Sequence, residues 1–253
     1  MIETHSTTPA GQSSGYEGQP EKGIIRRYFN SIADRYDFLN ALLSFRLDEG
    51  WRRKACDQIL ERQYKSILDL GTGTGKFLRI FLQKKRWDEA VGVDFSERML
   101  EAARQEFLDS EAEFVCADFH QLPFEKESFD LVVSSFTLRS VQNVPGFLGG
   151  VFDLIKPGGK AAFLCLTRPK SVWWNLIYYP YLKLYLPVVG GWFSGNPQAY
   201  QFLSASIRSF QDPAQTRQMM LAAGFEKVTL HPFSFGMATL IQGKKPVTVR
   251  ARP

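Results

Sequence analysis

A short apolar run ending in Asp69-Leu-Gly-Thr-Gly-Thr-Gly75 opens directly into a helical stretch at Lys76, and no other feature constrains this chain as strongly. Glycines at alternate positions let the backbone turn sharply after a strand and let a ligand approach it closely. Such a loop belongs at the carboxyl end of a strand in a parallel sheet, which makes Asp69, Gly71, Thr72, Gly73 and Thr74 candidate ligand contacts. The pattern is G-x-G-x-G, with Lys76 where the dinucleotide fingerprint G-x-G-x-x-G needs its third glycine. Taken alone, the loop is also compatible with simple turn chemistry.

Apolar runs alternate with helical stretches around it. Ser66–Leu70, Ala90–Asp94, Glu113–Asp118, Asp130–Phe136 and Lys160–Leu166 read as strands, almost continuously hydrophobic, like parallel strands covered on both faces. Glu226–Phe233 and Met237–Lys244 follow close together near the end. Helices fit Glu49–Gln63, Lys76–Gln83, Ser96–Leu108, Val144–Ile155 and Pro213–Ala223. Ser96 is a good N-cap, and Pro157-Gly158-Gly159 is a stop and turn. The alternation predicts an α/β fold with a doubly wound, mostly parallel sheet and an antiparallel C-terminal edge. Residues 1–22, rich in Ser, Thr, Gly, Gln and Pro, are expected to be a disordered leader, 23–246 the domain, and 247–253 a flexible tail.

Two further acids narrow the ligand. Asp94 ends the second strand, where a carboxylate accepts from both ribose hydroxyls of a nucleoside. Phe95 follows it and is grouped with the contacts. Asp118 ends the third strand, placed to accept from an adenine amino group, and Phe119 offers an apolar face for the ring. Each acid alone is also an ordinary strand-end turn residue. Three strand ends carrying these groups in order predict adenosylmethionine, which leaves as S-adenosylhomocysteine.

With Leu122-Pro-Phe124, Ser128-Phe-Asp130 and Leu154-Ile-Lys-Pro-Gly-Gly159 the chain resembles a class I methyltransferase with a Rossmann-like fold. Tyr28-Phe-Asn-Ser-Ile-Ala-Asp-Arg-Tyr-Asp-Phe-Leu-Asn40, Leu43-Ser44 and Trp51-Arg52 resemble the N-terminal signature of the ubiquinone/menaquinone C-methyltransferases. Phe136-Thr-Leu-Arg-Ser-Val141 resembles a second signature, and Tyr200-Gln-Phe-Leu-Ser-Ala-Ser-Ile-Arg208 with Ala223-Gly-Phe225 resembles the C-terminal region. The resemblance implies a seven-stranded sheet and carbon methylation of a prenylated quinol. It carries over Thr74, Asp94, Asp118, Phe119 and Ser135 as cofactor contacts, Tyr36 closing over the cofactor, and Arg139 facing the substrate. Lys76, Arg46, Thr137, Ser140 and Ile241 depart from the family's usual Asp, Gly, Gly, Asn and His.

A hydroquinone carbon is a poor nucleophile until a neighbouring hydroxyl loses its proton, so the site needs a cation for the phenolate and a proton acceptor. Arg139 fits the first role, a surface ion pair being its alternative. For the second, His120, Tyr36 and a water held by Arg139 all remain open. Residues 170–208 contain the aromatic stretch Val172–Phe193, which Asn175, Pro180, Lys183 and Pro187 interrupt, against a membrane span. It predicts an apolar lid over a quinol ring and prenyl tail at a membrane interface, the alternatives being packing on the sheet or a homodimer interface.

The surplus of 31 basic over 26 acidic residues is spread along the chain. It argues only weakly for nucleic acid, which is not expected as a partner, and suits either an anionic lipid surface or a merely basic one. Cys56, Cys116 and Cys165 have no metal-ligand spacing and the three histidines form no cluster, so no metal is expected. Cys116 and Cys165 sit in apolar runs and read as small core residues. With no secretory signal read at the N-terminus, a cytoplasmic protein is expected, peripheral at the inner face of the membrane. Two other functions compete: methylation of another lipid or phenol, and a non-catalytic scaffold subunit of quinone synthesis.

Overall fold

Strand β1 (Ser66–Leu70) is buried at every position, as a strand covered on both faces must be. Its neighbours are β2 (Glu89–Asp94) and β4 (Phe129–Ser135), both parallel to it, with Leu68 level with Val91 and Val132. Strand β3 (Glu113–Cys116) lies outside β2, and β5 (Ile155–Leu166) outside β4. The hairpin β6 (Glu226–Phe233) and β7 (Ala238–Lys244) completes seven strands in the order β3-β2-β1-β4-β5-β7-β6, β7 running antiparallel to both neighbours. The computed structural model describes residues 22–108, 110–119, 121–169, 171–194, 197–209 and 212–247. Positions 1–21 and 248–253, most of the expected leader and tail, and His120 lie outside the described residues.

Alternate side chains of the strands feed two cores. Leu68, Val93, Val132 and Phe163 face α6 (Val144–Leu154) and α10 (Pro213–Ala222) through Phe147, Val151 and Met220. Ile67, Leu131, Val133 and Leu164 face α3 (Leu47–Ile59) and α4 (Lys76–Lys84) through Ala55, Ile59, Phe77 and Phe81. Emptying the fully buried Phe163 would cost about 3–5 kcal/mol. A third cluster caps the strand ends: α1 (Lys22–Ile32) and α2 (Tyr36–Leu43) pack on the helical stretch α7 (Val172–Pro180), a π-helical turn (Tyr181–Tyr185), α8 (Leu186–Ser194) and α9 (Pro197–Ser209). Ile32, Leu39, Leu43, Tyr178, Leu182 and Ile207 form it, with Met99 and Leu166 from the sheet side.

Four expectations change. Strand β3 stops at Cys116, and Cys116 is exposed rather than core, because β3 is the edge strand and among the described residues no strand pairs with its outer flank. Helix α3 begins at Leu47 and ends at Ile59, since Leu60 leaves helical geometry and Tyr64 turns inward. Strand β5 begins at Ile155, not Lys160: Phe129 pairs with Ile155 and Leu131 with Lys160, so the Pro157-Gly158-Gly159 turn is a bulge within the strand. Finally, α5 spans Glu97–Glu106, shorter than expected, with Ser96 as its N-cap accepting from the Met99 N–H at 3.3 Å.

Candidate active site

The glycine loop is pinned by its backbone. Gly71 and Thr72 both donate to the Val93 carbonyl, at 2.8 and 3.0 Å, tying the turn to β2. Gly71 has φ 71°, and a side chain there would run into Thr137, 2.3 Å from its Oγ1. Gly73 has φ 56° but open space around it, the nearest atom being the Tyr36 ring 3.9 Å away. Beneath the loop Asp69 is fully buried and accepts from Thr72 Oγ1 at 2.9 Å; burial pushes its carboxyl up to about 7. Thr74 Oγ1 donates to Asp37 on α2 at 2.9 Å. The polar side chains of Asp69, Thr72 and Thr74 therefore shape the loop and hold α2 to it, while the glycine backbone faces the cleft.

Asp94 binds the loop from the other side. Its carboxylate accepts from the Gly73 N–H at 3.0 Å and the Ser96 N–H at 2.9 Å, and burial pushes it up to about 6. Ser96 Oγ donates to Asn30 on α1 at 2.5 Å, so the N-terminal helices are fastened beside both ends of the cleft. A narrow cleft of about 30 Å³ runs between Tyr36, Gly71, Gly73, Asp94, Ser135 and Phe136. Past Phe95 and Ser140 lies a pocket of about 400 Å³ walled by Asp118, Phe119, Val141 and α1. Phe95 stands between the Phe29 and Phe119 rings, edge-on, at 5.9 and 6.3 Å. The expected contacts Asp94, Phe95, Asp118, Phe119 and Ser135 thus come together around one continuous space. It fits adenosylmethionine: Asp94 keeps lone pairs for ribose hydroxyls, aromatic walls suit adenine, and Gly73 leaves room where a Cβ would intrude.

A second pocket, of about 240 Å³, adjoins the cleft at Tyr36 and Phe136, which line both. Its walls are mostly apolar, including Leu43, Trp51, Leu166, Tyr178, Leu203 and Met237. Arg139 enters from the turn after β4 and donates Nη1 to Ser206 Oγ at 2.8 Å. Ser206 in turn donates to the Leu203 carbonyl, so the two signatures remote in sequence meet at this arginine. Burial raises the Tyr36 phenol, against the pull of Arg139, a hydrogen bond with Asn40, and Arg52. Phe136 has φ 60°, a left-handed conformation that costs a non-glycine residue about 1–3 kcal/mol and gathers at functional sites.

Arg52 stands in the N-terminal signature without a role assigned from the sequence, and Asp48 was not singled out, although both face this pocket from α3. Arg52 Nη1 donates to Asp48 Oδ2 at 2.5 Å, and its guanidinium lies 4.8 Å from the centre of the Phe136 ring. Burial pushes the Asp48 carboxyl up, but the Arg52 charge together with hydrogen bonds from Ser44 and Arg52 holds it below its ordinary value. The i,i+4 spacing was legible; its burial was not.

The profile of the ubiE/COQ5 methyltransferase family matches residues 17–245. The chain belongs to that family. It is 39% identical to the demethylmenaquinone methyltransferase of Thermus thermophilus across 86% of this chain and 100% of that protein. With the protein of the same name from Thermotoga maritima it shares 38%, over 89% and 98%. A solved SAM-dependent methyltransferase of Thermotoga maritima, described as a possible histamine N-methyltransferase, superposes with TM-score 0.62 at 20% identity, over 87% of this chain and 99% of that one. That likeness shows the fold. The protein is an α/β, S-adenosylmethionine-dependent methyltransferase of the class I type, with S-adenosylhomocysteine as its product.

Within the methyltransferase the departures from the family pattern have separate explanations. Lys76 Nζ lies 3.4 Å from Asp37 Oδ1, so it joins Thr74 in holding α2 on the glycine loop. Arg46 has φ 61°, a conformation glycine adopts freely and arginine does not. Thr137 packs against Gly71, while Ser140 lines both the cleft and the wider pocket. Ile241 is fully buried between Phe163 and Leu230 in the sheet, remote from the cleft.

Proposed function

We propose that this methyltransferase moves the methyl group to a ring carbon of a prenylated quinol, demethylmenaquinol or its ubiquinone-pathway equivalent. One observation carries the reading: an apolar pocket with a buried arginine opens onto the cofactor cleft at Tyr36 and Phe136. The relatives named demethylmenaquinone methyltransferase support the acceptor class. When bound, adenosylmethionine supplies a sulfonium-bound methyl. Asp94 holds its ribose, and the Gly71–Gly73 backbone leaves room for its methionine end. Tyr36 separates the two spaces and fixes the ring against the cleft, which is chiefly a positioning contribution. Arg139 donates to the quinol oxygen as it ionises, and the apolar walls strengthen that attraction by excluding water. The net reaction releases one proton per methyl transferred.

Phe45 lines the acceptor pocket yet is exposed, marking its mouth, and stacks on Tyr185 at 5.9 Å. Along the helical run from α7 to α8, Trp173 (81% exposed), Leu176, Leu184, Val188 and Trp192 (83%) are exposed apolar side chains. Among the described residues no helix is long and apolar enough to cross a membrane. These side chains suit peripheral contact with a lipid surface through which a prenyl tail reaches the pocket. The test is turnover with methyl-labelled cofactor and a panel of demethylated acceptors, each reduced and oxidised. Label should enter reduced prenylated quinols and not the oxidised quinones, which have no hydroxyl to ionise. Absence of label in every quinol would sink the reading.

A further inference from the structure

We propose that Arg52, held by Asp48, is a second guanidinium of the acceptor pocket, binding an ionised ring oxygen of the acceptor alongside Arg139. This rests on the quinol reading above and deepens it, since it makes the acceptor an aromatic ring whose oxygens meet two cations. Arg52 and Asp48 are each only 5% exposed, in a pocket whose other walls are largely hydrocarbon. A buried ion pair is a poor stabiliser, because desolvation of two charges offsets their attraction; an apolar pair of similar size does as well or better. Its presence beside the methyl-transfer junction therefore calls for another reason.

The hydrogen bonds supply one. Asp48 is fully engaged in holding its partner: Oδ2 takes Arg52 Nη1 at 2.5 Å, and Oδ1 takes Ser44 Oγ at 2.6 Å. The Phe136 ring covers the guanidinium face. Arg52 Nε reaches Ser135 Oγ at 3.5 Å, a long contact to the residue that lines the cofactor cleft. Arg52 Nη2 donates to none of the described residues, so two N–H groups remain for a ligand oxygen. Arg52 and Arg139 line the same pocket as Tyr36, so both guanidinium groups border the space an acceptor ring would fill. Asp48 and Ser44 are positioning residues; Arg52 is the group that touches the acceptor.

The experiment compares the unaltered enzyme with Asp48→Leu/Arg52→Met, an apolar exchange that removes both charges and leaves neither orphaned. Asp48→Asn/Arg52→Gln serves as a second version if packing fails. Cofactor affinity by calorimetry should fall far less than kcat, since Arg52 and Asp48 do not line the cofactor cleft and Arg52 meets it only through the long Ser135 contact and the Phe136 ring. At saturating cofactor, kcat on a reduced demethylquinol should fall roughly 100-fold. The acid limb of the kcat–pH profile should move up by at least about 1 pH unit, because a cation that favours the phenolate is gone. A structural role alone would leave that limb in place. Unchanged kcat and an unmoved limb in a folded variant overturn the inference while leaving the quinol reading intact. If the unaltered enzyme methylates no quinol, the quinol reading fails first and this inference falls with it.

Discussion

The cofactor cleft and the acceptor pocket meet at two aromatic rings but are built differently. The cleft is made by backbone: three positive-φ glycines, two N–H groups on Val93, and one aspartate that accepts from the loop it faces. The acceptor pocket is made by side chains from α2, α3, the turn after β4, and the helices from α7 to α9. A backbone cradle tolerates few changes and suits one ligand throughout a large fold class. Walls assembled from distant segments can be altered one residue at a time, which suits a pocket proposed to select the acceptor.

The sharpest division between the two regions should come from Asp94→Ala. Losing two charge-assisted hydrogen bonds of roughly 1.5–3 kcal/mol each predicts at least a 100-fold loss of cofactor affinity by calorimetry. Unchanged affinity would remove Asp94 from the site. Arg139→Ala should do the reverse, lowering quinol turnover by roughly 100-fold or more at saturating cofactor with little change in cofactor affinity. Full turnover would end its phenolate role.

Acidity separates the regions too. Asp69 and Asp94 are raised to about 7 and about 6, both by burial. For acids raised in the folded state, the native form binds more protons than the unfolded chain between about pH 4 and 7. These two groups therefore make the ligand-free protein more stable as pH falls through that window. Cofactor affinity should move oppositely, weakening below about pH 6 as Asp94 takes up a proton and loses acceptor strength. Affinity flat from pH 8 to about 5 would contradict an ionised Asp94 as the ribose partner.

Smaller effects probe the frame. Gly71→Ala meets both a positive φ and the Thr137 side chain, predicting a loss of about 2–4 kcal/mol and a melting temperature several degrees lower. Lys76→Ala should cost less than about 1 kcal/mol, because its pair with Asp37 is partly exposed, and the difference should vanish at high salt.

Much of the cleft was legible in the sequence, because strand–glycine–helix geometry and strand-end acids are local patterns: β1, β6, the N-cap at Ser96 and Asp94 at the end of β2 stand as read, while Asp118 lies two residues past the end of β3. What failed was tertiary. Cys116 looks like core until β3 is known to be an edge, and Ile155 looks helical until it pairs with Phe129. The burial of Asp48 and Arg52 could not be read from composition either, since an acid and a base four apart on a helix are usually solvated. Only the packing of α3 against the pocket buries them. Phe136 opens the second signature, but nothing in the sequence marked its left-handed backbone.

The central claim is that methyl transfer ends on a ring carbon, with an ionised oxygen held beside it. The direct measurement is the position of a labelled methyl in the product of a single turnover on reduced demethylmenaquinone, read by nuclear magnetic resonance. The proposed quinol reaction predicts label on the ring carbon next to a hydroxyl, with both oxygens unmethylated. Label on an oxygen, or on no quinol product, would contradict it.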